Sequence, residues 1–281
     1  IGPSDIQKNN GVIDYVAEDE KEATIIAKKI LSYFQGDIKD WKADDQTQLS
    51  NIMPKDRRWS YPVRDIIKII SDIEQFTEIR PEYGKGVVSC FIRIEGKPFG
   101  LLANDSQHLG GAIDSEGADK ASSFIEMCSE YGLPIISLVD TPGFMVGPDS
   151  EKEGAVRRMS NLFKIGSRVK VPLTAIFLRK GYGLGAQAMV GGSLHEPVYT
   201  AAWPTGEFGA MGLEGAVKLG FKKELEKIED NSEREELFNS LVEKLYDKGK
   251  AIEAAAHLEI DAVINPSETR SVILKSQKAF V

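Results

Sequence analysis

Nothing in this 281-residue sequence stays apolar for the roughly 18 residues a membrane-spanning helix requires, and its start carries no signal-peptide pattern. The expected location is therefore cytoplasmic, with no membrane partner. Cysteine is scarce: Cys90 and Cys128 lie in apolar contexts without Cys-x-x-Cys spacing, and buried reduced thiols are expected. Histidine is limited to His108, His195 and His257, and no His, Asp or Glu cluster has zinc spacing, so no metal site is expected. Basic charge is in the minority, 35 Lys and Arg against 43 Asp and Glu for a net charge of −8, which argues against nucleic acid as a partner. A Gly-Lys-Ser/Thr phosphate loop is missing, and Ser160, Ser167 and Ser193 lack a nucleophile-elbow context, so acyl-enzyme chemistry has little support.

What is present is the composition of an α/β protein, 42% hydrophobic and 28% charged with 26 Gly and 12 Pro. The length suits one large domain, or one domain and part of another. Because the first residue is Ile, a fragment, a processed product or a trimmed chain is expected. Near the start, Asp19 is placed to cap a helix in which Ala23, Ile26, Ala27, Ile30, Leu31 and Phe34 recur at helical spacing. Its apolar face has no obvious partner in the nearby sequence. Residues 37–56 are polar and read as a linker that Trp41 could anchor.

Further on, 87–94 and 97–104 read as two strands joined at Glu95-Gly96. A repeating unit then begins: helix 115–131, buried strand 134–140, glycine loop, helix around 156–165, buried strand 171–178. Such alternation implies parallel strands with right-handed crossovers and ligands outside the carboxyl ends of the strands. The loops 104–114, 141–148, 181–187 and 204–212 fall at such ends and are expected to form a binding rim. Residues 222–250 read as charged helix with a solvated face, 260–264 as a closing strand, and Pro266 to Thr269 as the cap of a last helix ending near Phe280.

The stretch that organises the rest is Arg179-Lys180-Gly181-Tyr182-Gly183-Leu184-Gly185-Ala186-Gln187-Ala188-Met189. It closes the apolar run 171–178 and then turns into good helix-forming sequence, leaving the amides from Leu184 to Gln187 at a helix start. Backbone donors there, with the positive end of the helix dipole, suit a developing oxyanion. Gly183 and Gly185 would let the backbone approach a ligand closely. A lone Gly-x-Gly also serves simply to let a strand-to-helix turn pack, and both readings stand at this point. With no third glycine it is no dinucleotide fingerprint.

Several motifs converge on one family. Ile135-Ile136-Ser137-Leu138-Val139-Asp140-Thr141-Pro142-Gly143-Phe144 with Gly147, then Gly154, Arg157 and Arg158, then Arg179 to Gly183, Ala202-Trp203-Pro204-Thr205 and Met211 to Val217 resemble the carboxyltransferase of biotin-dependent acyl-CoA carboxylases. Ala103-Asn104, His108, Gly110, 260–264 and Thr269-Arg270 fit the same pattern, and the β subunit of propionyl-CoA carboxylase is the nearest type. The resemblance implies a crotonase-like (ClpP/crotonase) α/β fold, a parallel sheet with helical crossovers. It implies that 1–36 is the remnant of an N-terminal carboxyltransferase half, 37–56 the linker and 57–281 the C-terminal carboxyltransferase domain.

It further implies carboxyl transfer from carboxybiotin, on a separate carrier domain, to the α-carbon of an acyl-CoA, with this chain supplying the biotin side of the site. The backbone N–H groups of Leu184 and Gly185 would form the oxyanion hole, and Gly143, Phe144, Tyr182, Gly183, Ala186 and Gln187 the substrate contacts. The family commonly has glycine and alanine where this chain has Leu184 and Gly185, an aromatic at Ala186 and an acyl-specificity aspartate at Gln187, so a propionyl substrate is not implied. Partners would be a biotin carboxyl carrier domain, a biotin carboxylase, the N-terminal half and further copies in a homo-oligomer. No Met-Lys-Met biotinylation motif is present, so biotin arrives from elsewhere. The alternatives are a biotin-dependent acyl-CoA decarboxylase subunit, a catalytically silent oligomerisation half-domain, and a thioester hydratase or isomerase. The last needs an acidic pair that the sequence does not reveal. His108 reads either as a loop residue or as a base, and Arg157 and Arg158 as anion contacts or ion pairs.

Overall fold

The structure, a computed structural model, describes residues 2–278. The chain opens with α1 (Ser4–Asn9), α2 (Glu20–Ser32) and α3 (Val63–Ile70), then the strands β1 (Phe76–Ile79), β2 (Val87–Ile94) and β3 (Lys97–Asn104). The alternating part follows: α4 (Ser115–Glu130), β4 (Ile135–Thr141), α5 (Pro148–Lys152), α6 (Ala155–Gly166), β5 (Leu173–Tyr182), α7 (Gly183–Met189) and β6 (Tyr199–Ala202). Last come β7 (Glu207–Gly209), α8 (Leu213–Gly220), α9 (Lys222–Glu226), α10 (Asn231–Gly249), α11 (Ala251–Ala256), β8 (Ala262–Val263) and α12 (Thr269–Lys278).

One eight-stranded sheet takes in every one of these strands, in the order β1-β2-β3-β4-β5-β6-β8, with β7 paired to the far end of β5. The first three strands pair antiparallel, and the hairpin closes over Glu95-Gly96 with Ile94 opposite Lys97. Every pairing from β3 onward is parallel. Parallel strands need crossovers and so are covered on both faces, which explains why β4 is buried at every position; antiparallel β2 is also buried throughout, because its side chains enter cores on both faces.

The sheet therefore separates two cores. Alternate residues of β4 divide between them: Ile135 and Val139 join Phe91, Phe124, Leu162, Phe177 and Met189, while Ile136 and Leu138 join Ile66, Ile70, Ile176, Trp203 and Ile273. The first core lies under α4, α6 and α7, the second under α3 and α12. Among the described residues no helix is long and apolar enough to cross a membrane.

The early segments are stitched to this body. Asp19 caps α2 as expected, its carboxylate accepting from Glu22 N at 2.7 Å. Buried Arg93 donates to the carbonyls of Ser32, the last residue of α2, and of Gly36 beyond it, and Tyr33 stacks on Phe91 with ring centres 5.4 Å apart. α2 itself buries no residue, and Ile25 and Leu31 stay exposed. Residues 37–56 contain a short 3-10 helix, Gln46–Asn51, whose Leu49 lies fully in the second core. Trp41 lies under the Arg270 guanidinium at 5.6 Å, and Arg270 in turn donates to Ile70 O and to Asp72, both at 2.8 Å.

The observed boundaries differ from the expected ones at several points, among them the closing strand, which is only Ala262–Val263. β5 runs on to Tyr182 instead of ending at Leu178, and the loop 204–212 contains a strand, β7, that pairs with that extension. The charged stretch 222–250 divides into α9 and α10. α12 is described through Lys278, and Phe280 lies outside the described residues.

Candidate active site

The end of β5 departs from the regular ladder. Val139 faces Phe177, yet Thr141 faces Gly181, so two steps on β4 span four on β5 and a bulge forms. Asp140 fills it. Its fully buried carboxylate accepts from Lys180 N at 3.0 Å and from Arg179 Nη2 at 2.9 Å. Arg179, itself buried, sends Nη1 to the carbonyls of Arg57 at 2.9 Å and Trp59 at 2.6 Å and lies 5.0 Å from the Tyr61 ring centre. Lys180 Nζ donates to Gly110 O, and burial pulls its ammonium below the ordinary lysine range despite Asp140 nearby.

Past the bulge the chain turns at Gly183, whose φ of 58° is left-handed and whose missing side chain faces Ala210 O, 2.7 Å from where a Cβ would stand. α7 starts there with Tyr182 as N-cap and no side-chain cap. Helix geometry leaves the first amides, those of Gly183, Leu184 and Gly185, without acceptors in their own helix. A Cβ on Gly185 would come within 2.7 Å of the Gly143 backbone and 2.9 Å of Phe144 N. The close approach expected there to a ligand is thus an approach to the chain's own 142–144 loop. That loop is pinned by Thr141 Oγ1, which accepts from Gly143 N at 3.1 Å, and by Ile113 N donating to Gly143 O at 3.0 Å.

Loops 104–114, 141–148, 181–187 and 204–212 therefore meet around one turn. Of the expected contacts, Gly183, Ala186 and Gln187 line a cavity of about 530 Å3, shared with Leu194, Phe208, Lys248, Glu253, Ala254 and His257. Leu184 is 63% exposed at the tip of the turn. Gly143 and Phe144 back the turn from the opposite side, and Phe144 packs on Phe163 with ring centres 6.2 Å apart. The side chain of Tyr182 is 2% exposed and lies under the turn. His108 stays off the turn, its Nε2 3.8 Å from Asp114.

Residue reasoning missed a buried polar layer beneath this turn. Glu207 on β7 stands in register with Lys180, is 1% exposed, and has Arg57 Nη1 3.7 Å from its carboxylate. Arg57 also reaches Glu214 on α8 at 2.9 Å. Burial raises the Glu207 carboxyl above its ordinary value, with Arg57 opposing. The signal in the sequence is the acid at the centre of the proline and glycine loop 204–212.

The mixed sheet, its two-sided helical cover and the loop cluster at one strand end define a crotonase-like α/β domain. The model of the carboxyl transferase domain matches residues 1–281, and the chain belongs to that family. It is 32% identical over 284 residues to the methylmalonyl-CoA carboxyltransferase 12S subunit of Propionibacterium freudenreichii subsp. shermanii, covering 96% of this chain and 53% of that protein. Among solved structures, a single-chain, multi-domain long-chain acyl-CoA carboxylase superposes with a TM-score of 0.91 at 50% identity, covering 98% of this chain and 27% of the other. The transcarboxylase 12S hexamer with methylmalonyl-CoA bound gives 0.88 at 30% identity, covering 99% and 55%. The chain spans about half the length of the curated relatives it matches.

Proposed function

We propose that this chain supplies the biotin-side half of an acyl-CoA carboxyltransferase site, transferring a carboxyl group from carboxybiotin to the α-carbon of an acyl-CoA. One observation carries the reading: the uncapped start of α7, with Leu184 and Gly185 in its first turn, opens at the end of β5 beside the cavity of about 530 Å3. The lining combines apolar surface from Phe208, Ala186 and Ala254 with polar groups, Gln187, Lys248 and Glu253, that can meet a small bicyclic urea and its carboxylate. Carboxybiotin, delivered on its carrier domain, supplies the carboxyl group and a ureido oxygen that gains charge in the transfer.

The N–H groups of Leu184 and Gly185 are the donors to that oxygen. Fixed by Gly183 on one side and Gly143 on the other, they need no reorganisation as charge develops, and one such donor is typically worth ~10²–10³ in rate. The 50% identity to a long-chain acyl-CoA carboxylase supports a long-chain substrate. The reading also requires a carrier domain, a biotin carboxylase and the N-terminal half, of which residues 1–36 are the end, 37–56 the connection and 57–281 the partner domain. The hexamer of the 12S relative supports a homo-oligomer.

The test is carboxyl transfer to free biotin from malonyl-CoA, methylmalonyl-CoA and a long-chain 2-carboxyacyl-CoA. It is run with this chain alone and with a supplied N-terminal half. Turnover is expected only in the mixture and fastest with the long chain. Turnover by the chain alone would overturn the split site, and none in either case would overturn the function.

A further inference from the structure

α10 spans 19 residues and buries none of them. A helix without a buried face takes its position from a few side-chain contacts, because it is the packing of such a face that ordinarily holds a helix in place. The end of α10 nevertheless walls the cavity beside the α7 turn through Lys248 and Gly249, and β7 brings Phe208 and Gly209 to the same cavity. These two walls meet through backbone. Glu207 bridges to Lys250, Ala251 N donates to Gly206 O at 2.8 Å, and a Cβ on Gly249 would collide with Phe208 O. Further back along α10 the hold passes to side chains, with Lys218 of α8 5.9 Å from the Phe238 ring centre and Arg57 5.4 Å from that of Tyr246.

Arg57 comes from the loop before α3 and meets four elements at once. Its Nη2 donates to Glu214 of α8 at 2.9 Å, and its Nη1 stands 3.7 Å from the Glu207 carboxylate of β7. Its guanidinium lies over Tyr246 of α10, and its carbonyl accepts from Arg179 of β5 at 2.9 Å. Glu207 is 1% exposed, and neither of its oxygens has a hydrogen-bond partner among the described residues, so the charge of Arg57 is what offsets its burial. A planar guanidinium suits the place, since its fork can address two carboxylates while its face rests on a ring.

We infer that Arg57 is a positioning residue for the cavity read above as the biotin site: it ties β7, α8 and α10 to the end of β5, and so fixes the wall made by Phe208, Gly209, Lys248 and Gly249. This rests on the reading of that cavity as part of the carboxyl-transfer site. Arg57 is not itself among the residues lining the cavity and acts through those it holds. Its loss is therefore felt in the affinity for biotin rather than for the CoA thioester.

The test compares Tyr246→Leu, which cuts only the tie to α10, with the paired variant Arg57→Met and Glu207→Gln. The pair removes the buried charge together with its cation, so that neither is left alone in the fold. Amide hydrogen exchange on this chain reads the α10 amides against those of β2 and β4 as an internal standard. Each variant is expected to speed α10 exchange about tenfold with β2 and β4 within about twofold, and combining them to add less than about twofold more. In the transfer assay with the N-terminal half, KM for free biotin rises about tenfold in the paired variant while KM for the CoA thioester stays within about twofold. Unchanged α10 exchange, a uniform rise across the sheet, or a KM for biotin within about twofold of the parent would overturn the proposal. Faster α10 exchange in variants of a parent protein that catalyses no transfer would sustain the tie through Arg57 and overturn the assigned function instead.

Discussion

Gly183 carries a conformation that no other residue adopts cheaply, and it does so one residue before the amides assigned to the oxyanion. An alanine there meets two penalties: a left-handed φ, costing roughly 1–2 kcal/mol, and a Cβ 2.7 Å from Ala210 O. Relief requires the turn to shift away from β7, moving the donors. Gly183→Ala is therefore expected to lower the transfer rate by at least about tenfold while lowering unfolding stability by only ~1–3 kcal/mol, read by the biotin transfer assay and by denaturant titration. A rate within twofold of the parent would show that the turn does not position the donors. The glycines were legible as sequence because a strand run stops at them. Glu207 was not, since its significance comes from burial beside Arg57, and nothing in a local stretch records which distant cation an acid will face.

At the scale of elements, period and capping made most helices and strands legible, as in α2, whose N-cap Asp19 accepts from Glu22 N at 2.7 Å. The length of β5 was not legible, because the Arg179-Lys180 pair looks like a strand terminator until Asp140 is seen to neutralise it inside a bulge. α4 holds a similar surprise in Lys120, which is 1% exposed with no hydrogen-bond partner for Nζ among the described residues. Burial pulls its pKa from 10.5 to about 8; Glu78 and Cys90 oppose the shift while Arg64 and Arg80 add to it. Between pH 8 and 10.5 the unfolded chain holds a proton that the folded chain has released, so stability rises with pH across that window and the penalty is full below it. At about 1.4 kcal/mol per pKa unit the penalty is on the order of 3 kcal/mol. Lys120→Met is expected to stabilise the fold by ~1–3 kcal/mol at pH 7 and to flatten this rise, checked by urea unfolding at pH 7 and pH 10. Equal pH slopes in the two proteins would refute it.

For the molecule as a whole, the sheet and both cores close within the chain, yet its apolar surface is unevenly spread. Among the described residues, six of eighteen exposed large hydrophobic side chains fall in the first 32 positions: Ile6, Val12, Tyr15, Val16, Ile25 and Leu31. A concentration of that kind at one flank marks a surface that associates, since scattered single residues need no partner but a patch does. The sequence marked a helix face of Ala23, Ile26, Ala27, Ile30, Leu31 and Phe34 with nothing nearby to cover it; in the structure Ile30 and Phe34 pack against the first core, while Leu31, and Ile25 outside that face, stay uncovered. Light scattering of the chain alone is expected to show a mass that rises with concentration, and addition of an N-terminal half to replace this with one defined complex. The pair Ile25→Asp and Leu31→Asp places charge on the patch without touching either core, so it should bring the isolated chain to the monomer mass while leaving its unfolding midpoint within a few degrees. A chain that is monomeric at every concentration, or one whose association ignores both aspartates, would place the associating surface elsewhere, with the loop rim around Leu184 the next face to alter.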